Sequence, residues 1–386
     1  MNKKEIAEIK KQFTPERCAI TRICGCYVDG EKNKRTEMRE AFLSLPEEEI
    51  FKYFEILRKA LSGTIGKNLL TLGFPLKAET AGGSQEFLLR LRSSRLTDED
   101  LLEEFYDKII ESYGYGENYL ILAIHGAYDI PGKASDDLEM FDASDEVYEY
   151  ILACICPVKL SKPGLYYNIE ENCFQTRLRE WLVEMPMSGF LFPAFEDRST
   201  DIHSLLYYSQ KPEELHEEFI EQFLSCPLPV SAGGQKENFQ VLMEETLGEA
   251  CDYEAVKTIH ETLNTWMEEK KEDPEPLELT KAEVRRLFSE TGVMDKEKLE
   301  QFERTYEICA GSQGTMLASN VTNTRKFEVK TPNVMIQVNP EYMGLLETKM
   351  IDGRLCLVVP VDDEVQVNGM PVRTVAYGNR GDDTDA

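Results

Sequence analysis

The chain has 386 residues, enough for roughly two or three domains, and 42% of them are hydrophobic, so it can bury a substantial core. Acidic residues outnumber basic ones by 71 to 43, which gives a formal net charge of -28. This charge makes non-specific attraction to nucleic acid or to an anionic membrane unfavourable on average. A local basic face is compatible with that average, because net charge does not say where the charges lie.

The N-terminal residues MNKKEIAEIKKQF are charged and lack the apolar segment of a secretory signal. No run of about 18 apolar residues occurs, so no membrane span and no membrane partner are expected. The ten cysteines, outside a secretory context, are more typical of reduced thiols than of a disulfide framework. We therefore expect a cytoplasmic protein.

The first part of the chain predicts a β-hairpin followed by helices. In RCAITRICGCYVDGEKNKRTEM, Asp29-Gly30 supplies the turn. A regular first strand would place alternate residues on one face, namely Ile20, Arg22, Cys24, Cys26 and Val28. Helical spacing then predicts helices in SLPEEEIFKYFEILRKALSG, GSQEFLLRLRSS and TDEDLLEEFYDKIIESYG.

Short apolar runs separated by turn residues fill the centre of the chain, including ENYLILAIHGAYDIP, EYILACICPVKL, GLYYNIEENCFQT, SGFLFPAFEDR and DIHSLLYYSQ. Their length and composition are typical of strands, and short links between successive strands favour antiparallel pairing. EENC, residues 170–173, is predicted to be a hairpin tip. The acidic segment DIPGKASDDLEMFDASDE is predicted to be a surface loop.

Helical spacing returns after the strand-rich centre, and strands close the chain. KPEELHEEFIEQFL and four later segments predict helices, and Asp352-Gly353 between two apolar runs predicts a hairpin. The predicted fold class is α+β, with a central antiparallel sheet flanked by helices, a helical middle region and a small C-terminal β unit. The predicted regions are 1–115 (α+β), 116–210 (central β), 211–311 (helical), 312–375 (C-terminal β) and 376–386 (disordered tail).

Three cysteines near the N-terminus are the only candidate metal or thiol site, and they are weak candidates. Cys18, Cys24 and Cys26 form a C-x5-C-x-C run near Arg17 and Arg22, and a neighbouring arginine can lower the pKa of a thiol. A zinc site would need four ligands, and no second pair of cysteines with the usual spacing accompanies them. Small buried side chains in a strand are the alternative.

The histidines are the other candidates for chemistry, although no pair has metal-ligand spacing. His125 and His203 lie in strand-like runs and are weak catalytic candidates. His125 is the first candidate for an active-site residue, because a polar residue in so apolar a run needs a hydrogen-bonding partner. His216 and His260 lie in helical segments. A satisfied structural histidine is the alternative for each of them.

Two further features bear on phosphate binding. Residues 63–68, GTIGKN, resemble a fragment of a phosphate-binding loop but depart from its pattern in the glycine spacing and in the residue after the lysine. A helix end followed by a turn is the alternative. Basic residues cluster at few places, of which Arg325 and Lys326 before a strand are one, and a phosphate-contacting face would need several such clusters gathered in space.

The whole chain, on the segments MNKKEIAEIKKQFTPERCAI, CGCYVDG, AGGSQEF and IDGRLCLVVPV, resembles an uncharacterised family of Gram-positive anaerobes, defined by a domain of unknown function. That resemblance implies a cytoplasmic bacterial protein and no catalytic residue. The order of elements is also similar to that of the nucleoid-associated protein family over roughly residues 100–370. The segments that carry this similarity are GFLFPAF, EDPEPLEL and FEVKTPNVMIQV.

No motif identifies a biochemical activity, and two hypotheses follow. The first is a non-enzymatic intracellular binding or scaffold protein, in one version similar to the nucleoid-associated proteins. A protein partner or self-association is expected, no cofactor is expected, and the net charge disfavours nucleic acid. The alternative is a thiol- or metal-dependent enzyme that uses Cys18, Cys24 and Cys26.

Overall fold

The fold is taken from a computed structural model, which describes residues 1–133, 139–140, 146–310, 314–323, 325–361 and 365–372. The α-helices are α1 (Lys3–Lys10), α2 (Glu47–Ala60), α3 (Ser84–Ser93), α4 (Glu99–Ser112), α5 (Ala232–Leu247), α6 (Tyr253–Glu269), α7 (Lys281–Ser289), α8 (Lys296–Cys309) and α9 (Ala318–Val321). Short 3-10 helices span Pro15–Arg17, Phe42–Ser44, Gly248–Ala250 and Pro340–Leu345, and a π-helix spans Phe219–Phe223.

The strands of the first half are β1 (Ile20–Val28), β2 (Lys34–Ala41), β3 (Leu69–Gly73), β4 (Tyr119–Asp129), β5 (Gly132–Lys133), β6 (Glu139–Met140), β7 (Val147–Leu160), β8 (Leu165–Asn168), β9 (Cys173–Thr176), β10 (Trp181–Val183), β11 (Ser188–Phe192), β12 (Ala194–Glu196), β13 (Ser199–Asp201) and β14 (Ser204–Ser209). Those of the second half are β15 (Glu278–Leu279), β16 (Met316–Leu317), β17 (Phe327–Lys330), β18 (Met335–Val338), β19 (Glu347–Ile351), β20 (Arg354–Val358), β21 (Val365–Val367) and β22 (Met370–Val372).

One large antiparallel sheet organises the first 210 residues, so the predicted α+β class with a central antiparallel sheet is confirmed. Its strand order is β2-β1-β4-β7-β11-β14-β3, with β10 pairing with the end of β7. β4 pairs with β7 along its whole length, from Tyr119 opposite Pro157 to Asp129 opposite Val147. The sheet thus draws strands from both of the first two predicted regions.

Helices cover both faces of this sheet. On one face, α3, α4 and the π-helix pack over residues such as Ile121 and Phe190. On the other face, α1 and α2 pack over residues such as Leu122 and Leu206. Burial of both faces explains why the central strands are almost continuously apolar and do not alternate.

The predicted N-terminal hairpin is confirmed, but the prediction of one regular face on β1 is wrong at its first residue. Cys24, Cys26 and Val28 belong to the core beneath α3 and α4. Ile20 belongs to the opposite core, beneath α1 and α2. The register of β1 against β4 shifts between Ile20 and Arg22, and such a bulge moves the preceding side chain to the other face.

The central runs also give a hairpin that leaves the sheet. β8 and β9 pair with each other, and the predicted tip at residues 170–173 lies between the two strands and at the start of β9, as expected. Most of the predicted acidic loop lies outside the described residues.

The helical region has its own core, formed by α5 to α8 together with β15, β16 and α9. The predicted helix around Phe219 is a short π-helix. Within the described residues, the C-terminal β unit consists of three separate two-stranded hairpins. The predicted turn at Asp352-Gly353 is confirmed, with φ angles of 49° and 75° at the two residues. The predicted disordered tail, 376–386, lies outside the described residues.

None of the helices in the described ranges combines the length and the apolar character that a membrane span requires.

Candidate functional site

His125 lies in the middle of the sheet and is fully buried on β4. Its Nδ1 lies 2.7 Å from the hydroxyl of Thr21 on the neighbouring strand, and the same hydroxyl donates to the carbonyl of His125 over 3.2 Å. Burial lowers the pKa of His125 to about 4. Its Nε2 has no hydrogen-bond partner among the described residues. This environment keeps the imidazole neutral and closed off from solvent.

His203 lies outside that environment, in the turn before β14 and not in the strand itself, and β7 and β11 separate β14 from β4 in the sheet. Its side chain is 67% exposed and its Nδ1 lies 2.7 Å from a carboxylate oxygen of Glu79. The hydrogen bond to Glu79 raises the pKa of His203. The two candidate histidines therefore have opposite environments, one buried and neutral, the other exposed beside a carboxylate.

The three N-terminal cysteines do not form a cluster with metal-ligand geometry. Within the described residues, no group of three or more His, Cys, Asp or Glu side chains could hold a metal ion. Burial raises the pKa of Cys18, and it raises that of Cys24 to about 11 and that of Cys26 to about 12. Positive charge on Arg22 and Arg39 opposes this shift at Cys24 but does not outweigh it. Raised pKa values make a thiol less nucleophilic at neutral pH.

A different set of residues meets where the helical region joins the sheet. The turn at residues 63–68 precedes β3, and Gly66 in it has a φ of 76°. An amide hydrogen of Asn320, on α9, is donated to the carbonyl of Gly66 over 3.0 Å. The Nδ2 of Asn320 also lies 3.0 Å from Oε1 of Gln235 on α5, which accepts from the backbone amide of Leu317 at 2.9 Å. These bonds tie the turn, α5 and α9 together.

An open cleft of about 1170 Å³ lies beside this junction. The turn contributes Thr64 and Lys67 to its wall, and the helical region contributes the start of α5, much of α6, and residues 319–323. Residues 325–330, which lead into and form β17, also line it. We call this the junction cleft.

The junction cleft gathers positive charge in a strongly acidic protein. Its cationic lining residues are Lys67, Lys236, Arg325, Lys326 and Lys330. Of these, Lys326 pairs with Glu328 at 3.2 Å. The other four have no carboxylate within ion-pair distance in the described part of the chain.

Among the described residues, three carboxylates also line the junction cleft, and two of them are engaged. Asp252 accepts from the amide of Ala255 at 2.9 Å and caps α6, while Glu328 accepts from Lys326. Glu213 is exposed and stands over the start of α5. The cations of the cleft therefore outnumber the carboxylates, in contrast to the chain as a whole.

The first turn of α5 adds to this positive field. Ala232 and Gly233 line the cleft, and no acidic side chain lies in the first turn of this 16-residue helix. A helix N-terminus presents backbone amides and the positive end of the helix dipole. Burial lowers the pKa of Lys67, and Lys236 lowers it further, although Glu213 opposes them. The same Lys236, after burial, lowers the pKa of His260.

Buried polar atoms without a protein partner concentrate at the junction cleft. Among the described residues, ten buried side-chain nitrogen or oxygen atoms have no hydrogen-bond partner, and four of these belong to its lining. They are the hydroxyls of Tyr253 and Ser319 and the side-chain carbonyl oxygens of Asn264 and Asn320. Asn320 is only 6% exposed. Buried polar atoms in proteins are nearly always hydrogen-bonded, to protein groups or to ordered water, so these four atoms have unused hydrogen-bonding capacity beside the cleft.

Sequence reasoning found part of this cleft and missed the rest. It noted Lys67 in a fragment similar to a phosphate loop and the pair Arg325 and Lys326. It gave no signal for Lys236 or Asn320, which lie on helices with ordinary composition. His260, interpreted as structural, does hydrogen-bond, with its Nδ1 2.9 Å from the hydroxyl of Thr322.

Comparison with the curated proteins and with the solved structures finds no match for this chain. One family model matches residues 1–370, and its description is a domain of unknown function, DUF4317. The match covers all of the described fold except its last two residues, including the central sheet, the helical region and the junction cleft. The resemblance to a family defined by a domain of unknown function is therefore confirmed, and the chain belongs to that family.

Proposed function

We propose that this protein is a non-enzymatic binding protein whose junction cleft holds a phosphate-bearing ligand. The observation that carries the proposal is the coincidence, in one cleft, of four cations and four buried polar atoms that all lack a partner among the described residues. Phosphate oxygens accept strong, charge-assisted hydrogen bonds from Lys and Arg and from helix N-termini. Each of these donors is present at the cleft.

The cleft is larger than a single phosphate group needs. Its volume is about 1170 Å³, and small-molecule sites typically measure roughly 300–1,000 Å³. The orphan hydroxyl of Tyr253 can donate, and the oxygens of Asn264 and Asn320 accept. A ligand that fits carries both phosphate and neutral hydrogen-bonding groups, as a free nucleotide or a nucleic-acid strand does.

The similarity in element order to nucleoid-associated proteins, which is inferred from the sequence alone, supports nucleic acid as the phosphate-bearing ligand of the cleft. The overall charge of -28 opposes it, because distant negative charge repels a long polyanion. At low salt that repulsion acts over a longer range, but so does the attraction of the cleft. A binding experiment distinguishes a free nucleotide from a nucleic-acid strand as the ligand.

The test is a titration of the purified protein, at low salt, with pyrophosphate, with a nucleoside triphosphate and with a short duplex DNA. Binding of the triphosphate without retardation of DNA in a gel supports a nucleotide ligand. Retardation that weakens steeply as salt rises supports a nucleic-acid ligand. Failure of all three ligands to bind at low salt would contradict the proposal.

The thiol-dependent alternative gains no support from the geometry. Its three cysteines have raised pKa values, and Cys24 and Cys26 are fully buried. It stays a prediction, which thiol labelling addresses below.

A further inference from the structure

A two-stranded β-ribbon projects beyond the central sheet. It starts where Val158–Leu160 of β7 pairs with β10, continues through a hydrogen bond from the amide of Ser161 to the carbonyl of Glu180, and ends in the β8–β9 hairpin. The amide of Arg177 donates to the carbonyl of Gly164 between these two parts, over 2.8 Å. We call residues 158–183 the β-arm.

The outer part of the β-arm is amphipathic, and its apolar face is exposed. Tyr167 lies opposite Phe174, with ring centroids 5.5 Å apart, and Leu165 lies on the same side of β8 as Tyr167. On the other face, the hydroxyl of Tyr166 donates to Oε1 of Gln175 over 3.1 Å. Leu165 and Phe174 are each 74% exposed, so the part of the chain that the structure describes does not cover this face.

The two faces of the β-arm together expose many large apolar side chains. Eight large apolar side chains between Leu165 and Val183 are at least 45% exposed. Summed over both faces of the β-arm, they amount to roughly 1,000 Å² of exposed surface per copy, against about 800 Å² per partner in a standard interface. A two-stranded ribbon on its own is marginally stable in water, and exposed apolar side chains gathered on one ribbon mark an interaction site.

We propose that the β-arm is a dimerisation element, which packs antiparallel against the β-arm of a second copy of this chain about a twofold axis. The charges along the arm specify this partner. Its tip carries Glu170 and Glu171, whereas Lys162, Arg177 and Arg179 lie nearer the base, where Glu180 is the one other acidic side chain of residues 158–183. Antiparallel packing brings the acidic tip of each arm against the basic base of the other.

The β-arm also differs in net charge from the chain as a whole. Between Val158 and Val183 the chain has four basic and three acidic side chains, whereas the whole chain has a net charge of -28. Two copies repel each other through most of their surfaces, and this repulsion is absent at the arm. A self-complementary patch of this kind is what a twofold interface requires.

The test is the mass of the full-length protein in solution, measured by size-exclusion chromatography with light scattering and by sedimentation equilibrium. The wild type is expected to be a dimer at micromolar concentration. Phe174→Glu places a charge at the centre of the apolar face and should weaken dimerisation by about 30-fold or more. Ile308→Glu is the matched control, because Ile308 is 81% exposed on α8, and it should leave the dimer intact.

An exchange of charges within the β-arm tests whether its partner is the β-arm of a second copy of this chain. Arg177→Glu alone places acid against the acidic tip of the partner and should weaken the dimer. Combining it with Glu170→Arg reverses both charges and should restore dimerisation. Two results would overturn the proposal: a monomeric wild type, which would mean that a different partner covers the arm, or a dimer that Phe174→Glu does not weaken.

Discussion

At the scale of single residues, His125 shows how a polar side chain is accommodated in an apolar strand. The sequence predicts that it needs a partner, and Thr21 on the adjacent strand is that partner, 2.7 Å away. The identity of the partner depends on the register of β1 against β4, which includes a bulge next to this position. Composition and spacing do not specify such a register, so the pair could not be predicted.

The lowered pKa of His125 predicts a loss of stability in acid. The pKa is about 4 in the folded protein and about 6.5 in an unfolded chain. Between these values the unfolded state binds more protons, so stability falls as pH falls through this window. We expect a contribution of about 2–3 kcal/mol to the free energy of unfolding to disappear between pH 6.5 and pH 4. Urea unfolding across this range measures it.

Two variants check the assignment of this effect. His125→Asn removes the titrating group and should flatten the pH dependence between pH 6.5 and 4. His203→Asn should not flatten it, because the pKa of His203 is raised by Glu79 and its effect has the opposite sign. The contribution of His203 is present at low pH and is lost as pH rises. An unchanged pH dependence in His125→Asn would contradict the account.

Thiol reactivity separates the two functional hypotheses at the residue scale. Cys24 and Cys26 are fully buried, with pKa values raised to about 11 and 12. We expect both to resist alkylation in the native protein, whereas the partly exposed Cys173 and Cys356 react first. Mass spectrometry of peptides after brief labelling with iodoacetamide measures this order. Rapid labelling of Cys24 or Cys26 would revive the thiol-enzyme hypothesis.

At the scale of elements, the turn at residues 63–68 has a structural role that its sequence only partly indicates. Residues 63–68 depart from the phosphate-loop pattern, which favours a turn, and they do form a turn. Gly66 adopts a φ of 76° in this turn. A Cβ on Gly66 would lie 1.8 Å from Cδ1 of Leu317. The glycine is therefore required both by its backbone conformation and by contact with the helical region.

Gly66→Ala should loosen the junction between the sheet and the helical region. The left-handed conformation costs about 1–2 kcal/mol for a residue with a Cβ, and overpacking against Leu317 adds about 1–3 kcal/mol. Gly82→Ala is the matched control, because Gly82 has a φ of 84° but a Cβ added there would meet no described atom within 4 Å. Thermal or urea unfolding should show a clearly larger loss for Gly66→Ala. Equal losses would mean that the contact with Leu317 is unimportant.

Other elements differ in how far sequence could predict them. The hairpin at Asp352-Gly353 followed directly from turn chemistry, because both residues adopt positive φ. The β-arm was predicted as strands but not as a projection. Its run GLYYNIEENCFQT has the aromatic and apolar residues that are typical of strands. Apolar composition predicts that a face will be covered, and it does not say whether the cover comes from the same chain.

At the scale of the whole molecule, the junction cleft is assembled from parts far apart in sequence. Lys67, Lys236 and Arg325 come from a turn, a helix and the lead-in to a strand. No local pattern joins them, and the overall charge of -28 conceals a local excess of cations. The fold class was predictable because strand and helix signals are local. The site was not, because it depends on how the helical region packs on the sheet.

The central claim, that the junction cleft binds phosphate, is tested most directly by calorimetric titration with pyrophosphate at low salt. We expect the wild type to bind, and Lys67→Gln/Lys236→Gln to bind roughly 100-fold more weakly, since each charged hydrogen bond contributes about 1.5–3 kcal/mol. Lys4→Gln/Lys270→Gln changes the net charge equally at two exposed positions outside the cleft and should bind like the wild type. No binding by the wild type, or equal weakening in both double variants, would contradict the claim.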